Sequence, residues 1–441
     1  MTSRLRDRVI AIGAGSSLVP LAILFGLNAV DELDRSAFGL LLPEIRDYFH
    51  LNLTGITALS AAVIPAGLLV AVPVARLADR FRRVPIALTG ATMWGVFAVL
   101  TGLVPTVLML GATRIGAGLG RAVNDPVHGS LLSDYYKPQS RAKVFGVHRA
   151  ANTVGVFFGP LIAGFIAHAV GWRVPFIVLS IPTFTLIVLA LTKLREPPRT
   201  GHNIVEGHVR FRVAFRTLWG VQTLRRIWLA FPFLSFVAIG LNQLFSLYYK
   251  DVFDVPASTR GVIQAFDAPF IVLGLLIGTP FIDRGIHENA GRVMRRIGYA
   301  AAVIGVFILG AAGAPRLAFG VLCSYAINII ATPLFAGGFA IVSLVAPPEA
   351  RASAFAFFNV SALLGVLALP FVGIVGDALG LRAGMAMLTP MLVIGAAIIA
   401  SAGRFVNDDI ARVNPLGVDE SLIVPPPESV EGGAHAPFDP A

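Results

Sequence analysis

A single cysteine, Cys323, in 441 residues rules out an internal disulfide, and its place in an apolar run implies no redox chemistry. Charge is scarce too. Only 14% of residues are charged against 56% hydrophobic, which excludes an ordinary soluble protein of this length and predicts a polytopic membrane protein; the mean hydropathy of +0.77 agrees. No Walker loop, zinc-ligand spacing or nucleophile elbow is present, so neither ATP hydrolysis nor another enzymatic activity is expected, and no cofactor or metal. No small-residue cleavage site follows Arg4, Arg6 and Arg8, so the first apolar run is expected to enter the membrane bundle rather than to be removed.

Apolar stretches long enough to cross a bilayer lie near 17–45, 53–77, 84–104, 106–133, 140–169 and 172–193, and again near 226–249, 257–281, 293–313, 316–346, 350–376 and 380–402. Twelve spans make an all-α fold of two six-helix bundles, 1–193 and 226–402. Of 35 Lys and Arg residues, 25 fall in the tails and even-numbered loops, six in the odd loops and four within spans. Both termini are therefore expected in the cytoplasm of a cell-membrane protein. The net charge of +10 is a topology signal on this reading, not a nucleic-acid footprint.

The linker, 194–225, holds Phe211, Phe215, Leu218 and Trp219 beside Arg212 and Arg216, the pattern of an interfacial amphipathic helix or of a solvated one. Residues 403–441 lack periodicity and are expected to form a disordered cytoplasmic tail.

Three short patterns recur in order at nearly one offset. Asp79-Arg80 returns as Asp283-Arg284, Arg141-Ala-Lys-Val-Phe as Arg351-Ala-Ser-Ala-Phe, and Gly164-(x6)-Gly171-Trp-Arg as Gly373-(x6)-Gly380-Leu-Arg. Each pair occupies the same loop of its half, which predicts a duplicated, pseudo-symmetric bundle.

The first span carries Asp31, Glu32, Asp34 and Arg35 in its middle. At about 2.5–3.5 kcal/mol per charge, exposing four of them to hydrocarbon would cost roughly 10–14 kcal/mol. Their face must therefore turn to a protein interior or an aqueous cavity. Arg121, Asp125 and His128 lie at i, i+4 and i+7 on one face of the fourth span, which also carries Arg114. Five intramembrane acids (Asp31, Glu32, Asp34, Asp125, Asp267) meet four bases (Arg35, Arg114, Arg121, Arg149), so near-neutral pairing is possible. An acid that loses its arginine as a cavity opens can take up a proton, which makes Asp34, Asp31, Glu32, Asp125 and His128 candidates for proton coupling. Arg35, Arg114, Arg121, Arg149, Asp267, Asn242 and Gln243 are candidates for substrate contact. Structural ion pairing between helices, a satisfied core histidine and interhelical amide hydrogen bonds are the competing readings. Asp267 and Arg149 could equally be bundle locks.

Ala75-Arg-Leu-Ala-Asp-Arg-Phe-Arg-Arg-Val84 resembles the signature loop of the major facilitator superfamily, Gly-x-Leu-x-Asp-Arg-x-Gly-Arg-Arg. Ala75 and Arg82 replace its glycines and Val84 its last arginine. Arg114-Ile-Gly-Ala-Gly-Leu-Gly120 matches the fourth-helix Arg-x-x-x-Gly-x-Gly pattern, and Gly146-(x8)-Gly155-(x3)-Gly159-Pro160-(x2)-Ala163-Gly164 resembles the antiporter motif. The resemblance implies a gating role for Asp79, Arg80, Arg83 and Arg141, for the small residues Gly155, Gly159 and Gly164 with Pro160, and for Asp283 and Arg284. A narrower likeness is to the Spinster branch: Asp34-Arg35 followed by Pro43-Glu44-Ile45, the run Arg114, Gly118, Gly120, Ala122, Asp134, Arg141, and Arg195-Glu-Pro-Pro198. In that branch the first-helix Asp is thought to exchange a proton against the fourth-helix Arg, with a Glu two turns further on. Arg121 stands at that Glu position here.

The resemblance implies a monomeric secondary transporter that moves a small amphiphilic or anionic substrate, lysolipid- or sphingoid-like, by proton-coupled alternating access within membrane lipid. A multidrug or metabolite antiporter and a non-transporting sensor or partner subunit of the same fold are the alternatives.

Overall fold

The computed structural model describes residues 17–62, 70, 74, 77, 81–198, 211–347 and 350–413. Among them the chain is helical throughout, and the helices assemble into twelve spans. Eight helices are long and apolar enough to cross a membrane by length and composition alone. Several spans are interrupted, and proline is the reason. The turn residues Val123, Phe266 and Met387 each precede a proline by three positions (Pro126, Pro269, Pro390). A proline offers no N–H to the carbonyl four residues back and its ring crowds that carbonyl. The fourth span is thus Val107–Arg121 and Asn124–Tyr135, the eighth begins as Ala257–Ala265 before Asp267, and the twelfth is Leu381–Ala386 and Leu388–Ala402. Pro43 similarly divides the first span into Val19–Leu40 and Leu42–Tyr48.

The fifth span, Pro138–Val170, and the seventh, Gln222–Phe253, are long continuous helices. The second begins at Leu53–Ala62. The third is Arg83–Thr101, the sixth Val174–Lys193, the tenth Leu317–Val345, and the eleventh Arg351–Leu367 with Pro370–Leu379. Two expectations need correction. Residues 282–292 are helical rather than a loop: the eighth and ninth spans merge into Asp267–Ala312, bent at Asn289 (φ −165°, ψ 94°). The Asn289 side chain accepts the Arg292 N–H at 2.8 Å, so a helix cap inside the polar stretch makes the bend. The tail expected to be disordered from 403 begins with a helix, Val406–Val413. Its Asp409 is buried and accepts the Thr223 N–H at 2.8 Å, tying the tail to the start of the seventh span. The linker helix Phe211–Gly220 packs on the C-terminal half, with Leu218 fully buried and Phe215 stacked on Trp228.

The duplication is visible at atomic detail. Gly171 (φ +93°) and Gly380 (φ +89°) end the fifth and eleventh spans in a conformation that side-chain-bearing residues rarely adopt. Two residues on, Arg173 donates to the Val104 carbonyl at 2.8 Å and Arg382 to those of Ala312 and Ala314 at 2.8 and 3.0 Å. Gly164 meets the backbone of the eighth span at Ala257, while Gly373 meets that of the second at Thr54. The halves are therefore exchanged-partner copies of one packing scheme.

One apolar core lies within the N-terminal half around Leu24, Leu27, Val127 and Leu131, and a second within the C-terminal half around Leu224, Val293, Ile341 and Val345. The largest joins the two, with Leu40, Leu41 and Ile45 against Leu244, Leu247, Tyr249 and Leu369. That shared core sits at the end of the molecule carrying the odd-numbered loops. Apolar side chains such as Leu108, Leu191, Leu276, Phe281 and Leu322 are exposed on the outside, as a lipid-facing surface requires.

Candidate transport site and gates

Asn28, Asp31, Glu32 and Arg35 follow one another at helical spacing on the first span, so they share a face, with Asp34 beside them. That face meets the fourth span. Asp34, 1% exposed, accepts from Arg114 Nη1 at 3.3 Å and Nη2 at 3.0 Å, and from Arg121 Nη2 at 2.7 Å. Arg121 also pairs with Asp31, whose Oδ2 accepts from Asn124 Nδ2 at 3.0 Å. Two carboxylates and two guanidiniums thus balance in the interior. A second pair, Glu32 and Arg35, closes at 2.7 Å along the same helix. The Arg114 guanidinium also lies over the Phe38 ring at 4.3 Å, a cation–π contact that desolvation strengthens.

This cluster borders a polar cavity of about 180 Å³ lined by Asn28, Asp31, Glu32, Arg35, Arg121, Asn124, Arg149 and Asn152. The fifth span forms its far wall. Asn28 Nδ2 donates to Asn152 Oδ1 at 2.6 Å, and His128 Nδ1 lies 3.3 Å from His148 Nε2. The close approach needs small residues. A Cβ on Gly155 would collide with Glu32, and one on Gly159 would come 2.7 Å from the Leu33 carbonyl. Further along, the Pro160 carbonyl faces Gly261 of the eighth span. The fifth span therefore touches the charged helix of its own half and the opposite half with one small-residue stripe.

At the odd-loop end the halves are clasped by charge. Arg46 donates to Asp251 at 2.5 and 2.8 Å, Lys250 pairs with Asp47, and Arg260, fully buried, pairs with Glu44. Asp377 of the eleventh span accepts the N–H groups of Leu53 and Thr54, each at 2.9 Å, at the start of the second. Sequence reasoning missed this clasp. Its cations were counted only as odd-loop charges, and partners more than 200 residues apart leave no local signal.

At the other end Arg83, 3% exposed, donates to Asp134 at 2.5 Å, to Ser130 Oγ at 2.9 Å and to Glu196 at 3.1 Å. Glu196 also accepts the N–H groups of Val84 and Arg83 at 2.9 and 3.1 Å, capping the third span with an anion. Partial burial would raise this carboxyl, but those backbone donors and the Arg83 guanidinium outweigh it and hold it below the usual carboxylate range. Arg141 donates to the Tyr136 carbonyl at 3.2 Å, within its own loop.

Not every candidate joins the site. Asp79, Arg80 and the Asp125 side chain lie outside the described residues. Asp283 and Arg284 are exposed and form no ion pair among the described residues. Neighbouring backbone is continuous helix there. Asn242 is exposed and Gln243 buried; Asp267 stands apart in the C-terminal half, accepting from Asn328 Nδ2 at 2.8 Å.

Residues 24–359 match the family profile of the Major Facilitator Superfamily. Over 201 residues the chain is 34% identical to the lincomycin resistance protein of Streptomyces lincolnensis, covering 43% of this chain and 39% of that one. It is 25% identical over 197 residues to protein spinster homolog 1 of Bos taurus, covering 44% and 37%. The chain thus matches less than half the length of either relative. The crystal structure of a bacterial homolog of the human lysosomal transporter Spinster, inward-facing and unoccupied, superposes with a TM-score of 0.78 at 21% identity over 88% of this chain and 97% of that one. A fold of two exchanged-partner six-helix halves and a profile match across three quarters of its length agree: the chain belongs to the Major Facilitator Superfamily.

Proposed function

We propose that the chain moves a small amphiphilic or anionic substrate, lysolipid- or sphingoid-like in chemistry, by proton-coupled alternating access. The observation that carries this reading is the position of Asp34, buried between Arg114 and Arg121 at the wall of a polar cavity. Arg121 bridges Asp34 and Asp31, so its withdrawal toward a substrate anion would strip both carboxylates of a counter-charge in desolvated surroundings. An acid so placed takes up a proton, which links substrate release to proton exchange. Arg35 and Arg149, lining the same cavity from the first and fifth spans, supply further positive charge for a phosphate or carboxylate head.

By the distribution of Lys and Arg, the clasped end faces outward and both termini lie in the cytoplasm of a cell membrane, so this conformation is open inward. The protein works as a monomer in this scheme. The cavity is smaller than the roughly 300–1,000 Å³ of ordinary ligand pockets, so it holds a head group, and a tail must lie between the halves.

Reconstitution in proteoliposomes with an imposed pH gradient, using lysophospholipids against cationic dyes, tests the reading. Asp34→Asn should abolish gradient-driven flux and spare exchange; unchanged uphill flux in that variant would sink it. The likeness to a lincomycin resistance protein favours a second reading, drug efflux by antiport, and the dye arm of the same panel decides between them.

A further inference from the structure

The two halves of the bundle are electrically unlike. The N-terminal spans carry Arg35, Arg114, Arg121 and Arg149, whereas in the C-terminal half the buried arginine of the eighth span, Arg260, lies seven residues before Asp267 and is paired with Glu44. Asp267 stands in the same C-terminal half, with Arg260 already engaged by Glu44. It follows the break in the eighth span, where Pro269 cannot donate to the Ala265 carbonyl. Asn328 of the tenth span donates to Oδ1 at 2.8 Å; among the described residues no cation pairs with the carboxylate. A half-buried acid without a base costs several kcal/mol to keep ionised unless something positive arrives.

Its surroundings fit a specific arrival. Phe270 lies one turn beyond Asp267 on the eighth span, and Tyr325 one turn before Asn328 on the tenth. Their rings stack with centroids 4.3 Å apart and 21° between planes. The Tyr325 hydroxyl donates to the Ile263 carbonyl at 2.9 Å, which fixes that ring. Tyr249 of the seventh span lies within electrostatic reach of the same carboxylate. A carboxylate beside fixed aromatic rings is the chemistry that recognises an organic ammonium: one negative charge, and π faces that replace the weak hydration of alkylated nitrogen.

We propose that Asp267, Asn328, Phe270 and Tyr325 form an organic-cation subsite in the C-terminal half, and that the transported molecule is a zwitterion whose ammonium group sits there while its anion meets the arginines of the N-terminal half. The inference deepens the transport reading and uses it for the biological role, but the binding itself stands without it. Asp267 is then a specificity determinant, and neutral or purely anionic analogues are discriminated against by the charge it leaves unpaired.

Equilibrium binding of benzyltrimethylammonium to the full-length protein in dodecyl maltoside tests this, with the neutral isostere neopentylbenzene as control. The cation should bind and the isostere should bind at least tenfold more weakly. Asp267→Asn should lower cation affinity at least tenfold and erase the preference over the isostere. Tyr325→Leu and Phe270→Leu, which keep the carboxylate, should each weaken the cation severalfold, so a folding defect in one variant does not decide the matter. Equal cation affinity in wild type and Asp267→Asn overturns the subsite. So does loss of pH-driven flux in Asp267→Asn with cation affinity intact, which would make Asp267 a proton carrier. Asp267-dependent binding in a protein that transports nothing leaves the subsite standing and removes the transport reading instead.

Discussion

One oxygen of Asp34 gathers two guanidiniums, Arg121 Nη2 at 2.7 Å and Arg114 Nη2 at 3.0 Å, so a single carboxylate of the first span pins the fourth at two levels. The pinning is asymmetric. Asp34→Ala leaves Arg114, 3% exposed, without a carboxylate partner and should cost about 3–5 kcal/mol, as removal of one member of a buried pair does. Arg114→Ala leaves Asp34 still held by Arg121. The double variant should therefore be less destabilised than the sum of the singles, by more than about 0.5 kcal/mol. A double-mutant cycle on unfolding in detergent measures it, and strict additivity would mean the pair is not coupled.

The clasp at the odd-loop end offers a second test. Arg260 is fully buried, and among the described residues its Nε and Nη1 have no hydrogen-bond partner, so its hold rests on Glu44. Arg260→Gln should loosen that end and raise the population in which it is open. Each 1.4 kcal/mol lost shifts the ratio about tenfold. Spin labels at introduced cysteines on the loops around 49 and 254, in a Cys323→Ser background, should show a longer-distance population in the variant. An unchanged distance distribution would show that the apolar core of Leu40, Leu41, Leu244 and Leu247 closes this end without the ion pair.

Why the first test could be framed from sequence and the second could not is a matter of cost and distance. Asp34 and Arg114 announce themselves because charge in an apolar stretch is costly wherever it is not paired, so their burial is implied by composition alone. Gly171 and Gly380 announce themselves because a repeat offset aligns them. Arg260, Lys250 and Arg46 look like any other loop cations, and nothing near them in the chain names Glu44, Asp47 or Asp251 as partners. His148 was likewise silent, since a polar residue in an otherwise unremarkable turn of the fifth span has no pattern to break. The polar stretch 282–292 reads as a loop by its charge, yet Asn289 turns it into a bent helix with one side-chain cap. Val406–Val413 is too short to show a period, and its helix is held by the contact of Asp409 with Thr223.

Backbone geometry gives a third prediction. Gly171 and Gly380 hold φ values of +93° and +89° with ψ of 162° and 157°, a region open essentially to glycine alone. Ala at either position has no neighbour to strike but must bear the strain, about 1–3 kcal/mol. Gly146, on the same helix as the first of these and also without neighbours within 4 Å, is helical, so Gly146→Ala should be neutral or slightly stabilising. Unfolding midpoints of the three variants separate strain from packing; equal effects at 146 and 171 would contradict the assignment.

Glu196 supplies the last. Its carboxyl is held below the usual range by the N–H groups of Val84 and Arg83 and by the Arg83 guanidinium. A group whose folded-state value is depressed contributes stability that is present above its unfolded value, 4.5, and is lost as pH falls through the lower folded one. Glu196→Gln removes the charge but keeps an acceptor. It should lower the melting temperature by a few degrees at pH 7, where the wild-type carboxylate is ionised, and the two proteins should converge as the pH falls through the depressed folded-state value. The side chain is 18% exposed, so raising the salt concentration should also shrink part of the gap at pH 7. A difference that stays constant from pH 7 to acid would assign the loss to the hydrogen bonds at the start of the third span and not to the charge, and would leave Asp134 as the carboxylate that holds Arg83.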